Sequence, residues 1–293
     1  MSQPLPSISI VTPSFNQAPF LAETIESVLG QNYPNLEYVI IDGGSTDGSV
    51  EIIRKYEKHL AYWVSEPDRG QYDAINKGFA RTKGDIMAWI NSDDKHTPWT
   101  LRVASEIFAQ FQTVEWLTTN YPLFAGEQGI AADCVKLHGF NREAFFRGAN
   151  LPGGDWHADF FIQQESTFWR RSLWNRAGNR IDSGLKLAGD FELWARFFSE
   201  GAELHGVNVP LACFRHQKTQ RSALQSKEYF AEALEVLRKN GGKPYSKWES
   251  YVLSKLAMLS RHFQKRYQRK LGGGKPMPVC VNFQGTGWSI KNK

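Results

Sequence analysis

Long hydrophobic runs are missing from this 293-residue chain. Although 41% of its residues are hydrophobic, no apolar stretch approaches the 18 or more that span a membrane. Cysteine is scarce. Cys134, Cys213 and Cys280 are far apart and odd in number. They exclude a paired-cysteine metal motif and a disulfide framework, and they predict a reducing, cytoplasmic setting. The first ten residues run into a strand pattern without a basic segment followed by an apolar one, so no secretory signal is expected. Internal repeats and low-complexity stretches are also absent. Positive charge is only mildly in excess: 35 Lys and Arg against 30 Asp and Glu give +5, much of it in the last 50 residues. That suits anionic partners without naming one. The basic residues are not interleaved with exposed aromatics, which argues against nucleic acid. The length allows one large α/β domain or two small ones.

What is present is organised around Ile86-Met87-Ala88-Trp89-Ile90, which runs straight into Asn91-Ser92-Asp93-Asp94. An apolar run bounded by turn signals reads as a buried central strand. Two adjacent carboxylates where it stops would repel each other, and burial would raise a pKa. A divalent cation removes the conflict. Mg2+ or Mn2+ takes one or two carboxylates and fills its other positions with water and phosphate oxygens. The alternative is a solvated strand-to-helix turn, with Asp94 or Thr97 capping a helix that holds Pro98 in its first turn.

Other strands read at 7–12, 36–42 and 62–65, with helices from Pro19 to Leu29, up to Tyr56, and over 72–81. This alternation continues to about residue 120 and predicts a doubly wound, Rossmann-like, mainly parallel sheet flanked by helices. Residues 125–160 read as loops with short helical pieces, where Trp156, His157 and Asp159 either contact an acceptor or belong to the core. Further strands are expected at 164–169 and 209–214, and helices at 190–198, 226–239 and 247–270. The last 20 residues, rich in Gly and Pro, are expected to be loosely held. The chain thus divides into 1–225, with halves 1–120 and 121–225, and a C-terminal helical extension and basic tail, 226–293.

Four polar clusters fall at the carboxyl ends of expected strands: Thr12 to Asn16, Asp42 to Asp47, Glu66 to Gln71, and Asn91 to Asp94. Four on one rim make a crevice, the usual ligand position in open α/β sheets. Together with Thr24-Ile25-Glu26-Ser27-Val28-Leu29-Gly30-Gln31 and Asp73-Ala74-Ile75-Asn76-Lys77-Gly78, they resemble family 2 glycosyltransferases of the GT-A fold over roughly residues 7–220. The resemblance implies metal-dependent transfer of a sugar from a nucleoside diphosphate donor to a hydroxyl acceptor, with inversion. It also implies a saccharide or lipid-linked saccharide acceptor in surface-glycan synthesis.

Carried over by position, Thr12 and Pro13, with Ser14 and Asn16 in the same turn, match the part that packs on the nucleobase. Asp42 matches the acid that reads the base and favours uracil or thymine; otherwise it is a turn acid. Gly70, Gln71, Asp73 and Asn76 fall on the donor side. Lys77 or Arg69 faces the diphosphate or is a surface cation. Asn91-Ser92-Asp93 matches the metal-binding Asp-X-Asp motif but departs from it at Asn91, which adds no charge. Asp93 is the better ligand and Asp94 a candidate second. In some relatives a histidine at the position of His216 completes the metal shell; a structural histidine is the alternative. Asp190 matches the base, although the usual Glu-Asp pair is here Gly-Asp. Asp182 and Glu192 are the alternatives to it, and helix capping is its other reading. Glu165 either lines the acceptor side or pairs with Arg170 or Arg171. The basic amphipathic segment at 247–270 either lies on an anionic membrane at its inner face or packs on the domain. A nucleotidyltransferase would carry a Gly-rich basic loop after the first strand, which Thr12 to Asn16 lacks. A non-catalytic nucleotide-sugar or glycan-binding module is the remaining rival.

Overall fold

The computed structural model of the chain describes residues 4–137, 139–151, 161–217, 220, 224–246, 248–249, 280–284 and 287–291. β1 (Ile8–Ser14) leads to α1 (Ala18–Leu29), β2 (Leu36–Asp42) to α2 (Ser49–Tyr56), β3 (Tyr62–Ser65) to α3 (Gln71–Phe79), and β4 (Ile86–Trp89) towards α4 (Thr100–Gln110). β1 pairs in parallel with β2 and β4, and β2 with β3. Parallel neighbours need crossover connections, which these helices supply. Every residue of β1 and β4 is buried. The period of two divides each strand between two cores. Ile8, Ile10, Ile40 and Ala88 pack with Leu21, Ile25 and Ile107. Val11, Val39, Met87 and Trp89 pack on the other face with Trp169, Trp194 and Phe197. Gly78 of α3 lies so close to β1 that a Cβ there would meet Val11 Cγ1 at 2.4 Å. Only glycine lets the helix seat.

β6 (Trp116–Thr119), β9 (Phe168–Arg170), β10 (Leu204–Val207), β12 (Cys280–Gln284) and β13 (Gly287–Lys291) complete a nine-stranded sheet in the order β13-β12-β10-β6-β9-β4-β1-β2-β3. It is mainly parallel as expected, with β9 running against both β4 and β6. The strand expected from Gln164 starts later, because Gln164–Ser166 forms a 3-10 turn. A second sheet joins β5 (Lys95–His96), β11 (Ala212–Arg215), β7 (Leu123–Ala125) and β8 (Ala131–Cys134) in the order β5-β11-β7-β8. Two to four residues per strand are too few to show an alternation. α5 (Arg142–Phe146) is one of the short helical pieces expected in 125–160.

Two further helices matter for the site, α7 (Gly189–Ser199) and α8 (Ser226–Lys239); α6 (Arg171–Arg176) follows β9 directly. Stacked indoles seat α7 under the sheet. Trp194 lies 5.8 Å from Trp89 at 12° and 5.3 Å from Trp116 at 27°. The chain end differs from the expectation of a loosely held tail. β12 pairs in parallel with β10 and forms a hairpin with β13. Val281 and Trp288 are buried while Phe283 is 57% exposed, so burial here does not follow the period of two that would announce a strand. Trp288 Nε1 donates to Glu106, and Gln110 donates to the Trp288 carbonyl. The region 226–293 is therefore not helical throughout, and its last strands rejoin the sheet of the first 225 residues. The helix expected at 247–270, apart from 248–249, and the residues Trp156, His157 and Asp159 lie outside the described residues.

Candidate functional site

The four clusters meet at the carboxyl ends of β1 to β4. Asn16, with φ +52°, accepts from the Thr46 amide at 2.9 Å and donates its own amide to Ser45 Oγ at 2.8 Å. Ser65 Oγ donates to Asp42 Oδ2 at 2.7 Å, and Gln71 Nε2 donates to Asn91 Oδ1 at 2.7 Å. First joins second, second joins third, and third joins fourth. Phe15 stands 56% exposed on this rim.

Several expected donor contacts have structural tasks instead. The Thr12 side chain is fully buried, its Oγ1 3.0 Å from Tyr38 Oη, so it cannot touch a base. Asp42 is also fully buried. Its carboxylate accepts from the amides of Gly44 (3.1 Å) and Ser45 (2.8 Å) and from the hydroxyls of Ser45 (2.6 Å) and Ser65 (2.7 Å). Four donors fill the acceptor positions of a carboxylate. These bonds accord with the turn reading of Asp42. Asn76 clamps α3 to the backbone of Ile181 through bonds of 2.8 Å in both directions. Asp73 holds Arg69 at 2.7 Å, which keeps its carboxyl below the usual range. Gly70, at φ +111°, takes Asp68 Oδ1 on its amide at 2.7 Å and accepts the first amides of α3. Lys77 pairs with Glu66 at 3.0 Å, while the Arg69 side chain remains 79% exposed. Pro13, Ser14 and Ser92 are buried, and the Ser14 hydroxyl finds no partner among the described residues.

At the end of β4 the two aspartates differ. Asp93 is partly exposed, and Gln217 Nε2 donates to its Oδ2 at 2.5 Å. Asp94 is buried; its Oδ1 takes the Arg215 amide at 2.9 Å, and its Oδ2 takes Asn91 Nδ2 at 3.3 Å. An aspartate at 91 would remove that donor and add a third charge, which accounts for the departure from Asp-X-Asp. Burial raises both acids, Asp94 well above its ordinary value with the charges of Asp93 and Glu165 adding to it. Burial and the Asp93 charge push Glu165 up to about 8. Its Oε1 finds no partner among the described residues. It forms neither expected ion pair, because Arg170 and Arg171 bond backbone carbonyls.

Hard oxygen donors under mutual repulsion fit a divalent cation held by Asp93, with Asp94 beside it and the rest of the shell supplied by phosphate and water. No three His, Cys, Asp or Glu side chains among the described residues group to hold a metal. His216 packs among aromatic rings. Its ring stacks on Phe124 at 5.5 Å and 15°, and its neighbour Gln217 is the side chain that reaches Asp93. His216 lines an open pocket of about 320 Å³ with Phe124 and Asp133, on the second sheet rather than at the rim.

Asp190 opens α7. Ala188 is the N-cap position, so Asp190 lies in the first turn and is not the capping residue. Its Oδ1 accepts from Tyr229 Oη at 2.7 Å and from the Phe191 amide at 2.7 Å. Burial pushes it up to about 6 against the lowering effect of the Tyr229 bond. The alternatives are occupied or remote in kind: Glu192 pairs with Arg196 at 2.7 Å, and Asp182 is exposed in a turn, bonded to the Gly184 amide. Gly189 stands where a Cβ would meet the Tyr72 ring at 2.7 Å, so that ring fills the space of the missing acid. Glu165 feels the charges of both Asp93 and Asp190. It links the two halves of the crevice.

Arg215, Gln217 and Tyr229 are contributors that motif reading missed. Arg215, 2% exposed, donates to the Asp93 carbonyl (2.7 Å), the Glu127 carbonyl (2.9 Å) and Glu23 (2.9 Å). Each acts on a partner remote in sequence, and no local spacing announces it.

Residues 9–119 match the model of the family described as glycosyl transferase family 2. The chain is 43% identical over 210 residues to an uncharacterized glycosyltransferase of Mycobacterium tuberculosis, covering 69% of this chain and 73% of that one. It is 35% identical over 125 residues to a putative teichuronic acid biosynthesis glycosyltransferase of Bacillus subtilis, TuaG, covering 41% and 48%. Its structure resembles S. aureus TarS 1–349 in complex with UDP-GlcNAc, with a TM-score of 0.61 at 16% identity, covering 88% of this chain and 73% of that one.

Proposed function

The chain belongs to glycosyltransferase family 2 and has its GT-A fold; we propose that it moves a sugar, with inversion, from a uridine diphosphate-sugar to a hydroxyl of a surface polysaccharide or glycolipid. The observation that carries this reading is the Asp190 carboxylate, poised at about 6 across the crevice from the Asp93 end of β4. Asp190 takes the proton of the acceptor hydroxyl as that oxygen bonds the anomeric carbon. The bond from that carbon to the diphosphate breaks, and its electron pair leaves with the nucleoside diphosphate. Asp93, with Asp94 beside it, would hold Mg2+ or Mn2+, which stabilises the leaving diphosphate when bound. Phe15, exposed beside Pro13, offers the nucleobase a ring face. Arg69, exposed at the same rim, would turn to the phosphates by exchanging its Asp73 partner.

The TarS complex with UDP-GlcNAc supports a uridine nucleotide, and the TuaG name supports an envelope polysaccharide. No helix among the described residues is long and apolar enough to cross a membrane. Cys134 and Cys213 are free. Work at the cytoplasmic face on a lipid-linked acceptor accords with these features and with the basic segment at 247–270.

The test is thermal unfolding against UDP, GDP and TDP, each with and without Mn2+ or Mg2+. A ligand at about 100 times its dissociation constant stabilises by roughly 2.7 kcal/mol. UDP with cation is expected to stabilise selectively. A GDP or TDP preference would move the donor assignment, and no shift with any nucleotide would overturn the reading.

A further inference from the structure

We propose that α8 belongs to the machinery of the base: Tyr229 is a positioning residue that holds the Asp190 carboxylate, and Glu232 fixes the backbone that carries it. The inference rests on Asp190 being the base.

Helix α8 lays one face on α7. Ala233, Val236 and Leu237 are buried there, and Tyr229 lies four residues before Ala233 on the same stripe. Such a stripe normally carries only apolar packing. Here its two polar members both reach the segment that presents Asp190. Tyr229 Oη donates to Asp190 Oδ1 at 2.7 Å. Glu232 accepts three consecutive amides, those of Lys186 (3.2 Å), Leu187 (2.9 Å) and Ala188 (3.0 Å). These are the residues just before α7, so the carboxylate meets both unpaired amides and the positive end of the helix. From α3, Tyr72 Oη donates to the Leu187 carbonyl. The segment is thus pinned from two helices while its acid faces the crevice.

The direction of the Tyr229 bond is settled by its surroundings. Burial and the Asp190 charge hold the phenol well above its ordinary value, so it stays protonated and donates. The ionisable groups around Asp190 are Tyr72 on α3, Tyr229 and Glu232 on α8, and Glu165 in the turn before β9. Among them Tyr229 alone donates to it. Tyr229 and the Phe191 amide both donate to Oδ1. That fixes the rotation of the carboxylate and turns Oδ2 to the incoming hydroxyl. Without the phenol the acid would rotate, and its charged form would lose a charge-assisted bond.

The experiment uses the full chain labelled with 13C at aspartate carboxyls. The resonance that disappears in Asp190→Asn identifies the base, and its midpoint is expected near 6 in the wild type. Tyr229→Phe keeps the ring and its packing, and should raise that midpoint by about one pH unit, the size of one hydrogen bond to a charged acceptor. The acid limb of UDP-GlcNAc turnover by water, read as UDP release, should move up with it. Glu232→Gln, at an unchanged Asp190 midpoint, should lower kcat with KM held, as loss of positioning does. An unmoved Asp190 midpoint in Tyr229→Phe overturns the proposal. If that variant does not fold, full kcat in Glu232→Gln overturns it instead. Asp190→Asn with full turnover would refute the base assignment, a separate outcome, because the midpoint still reports whether Tyr229 holds Asp190.

Discussion

Replacing Asp42 with alanine tests the largest disagreement between motif and geometry. If this acid reads a nucleobase, its removal should weaken nucleotide binding and leave the free protein as stable as before. The structure predicts the opposite order of effects. Asp42 is fully buried and accepts the Gly44 and Ser45 amides at 3.1 and 2.8 Å, besides two serine hydroxyls. The hydroxyls of Ser45 and Ser65 rotate and find other acceptors. The two amides are fixed by the turn and cannot. A buried donor left unpaired costs about 1–3 kcal/mol, so the pair places the loss near 3 kcal/mol. For a chain of this size each kcal/mol lowers the melting temperature by roughly 2–4 °C, so a fall of roughly 6–12 °C is expected. Ligand-free thermal unfolding of the wild type, Asp42→Ala and Asp42→Asn reads this directly. Asparagine keeps one oxygen in place and should recover part of the loss. A ligand-free Asp42→Ala that melts with the wild type yet no longer binds UDP would refute the loop-pin argument and restore the base-reading role.

Three further outcomes are expected. Asp93→Ala should remove the cation-dependent part of nucleotide stabilisation, since Asp93 is the partly exposed acid at the end of β4; an unchanged Mn2+ dependence in the same melting assay would count against it. Asp190→Asn should keep donor affinity while turnover falls by about 10²–10⁴-fold, and wild-type kcat should rise with pH through about 6 as the carboxylate loses its proton; near-normal turnover would move the base elsewhere. His96, buried in β5 against Phe168, has its pKa pushed down to about 4 by burial. An unfolded histidine titrates near ~6.5, so the stability present above that pH is lost as pH falls towards the folded value, up to about 3 kcal/mol. His96→Leu should flatten denaturant midpoints between about pH 6.5 and 4, and an equal acid loss in both proteins would exclude His96 as its source.

What a sequence pattern announces, and what it hides, follows the range of the interactions. β1, β2 and β4 were readable because parallel strands covered on both faces are nearly all apolar. β5, with two residues, and β7, with three, are too short for any period to show. The β12–β13 hairpin was hidden for another reason. Val281 and Phe283 lie on one face of β12 yet differ in burial, so no alternation marks the strand, and its docking depends on α4, where Glu106 and Gln110 receive Trp288. The rim was readable because strand ends and turn residues are local signals. The tasks of individual rim residues were not. Thr12, Asn16, Asp42 and Asn76 have the residue types that ligands use, and backbone amides and carbonyls use the same types.

The base illustrates the harder limit. Asp190 was found by its place in a motif, yet what makes it a base at all comes from elsewhere in the chain. Its rise to about 6 comes from burial and is restrained by Tyr229, 39 residues later on another helix. Its segment is anchored by Glu232 of α8 and Tyr72 of α3. Across the crevice, Arg215 and Gln217 hold Asp93 in the same long-range way. A carboxylate in a sequence is only a candidate. Its proton affinity is a property of neighbours that the fold assembles, and those neighbours are free to differ wherever another side chain can supply the same bond or fill the same space. The pair Gly189 and Tyr72 is one such exchange: the position of the absent acid is filled by a ring whose hydroxyl holds the backbone of the remaining one.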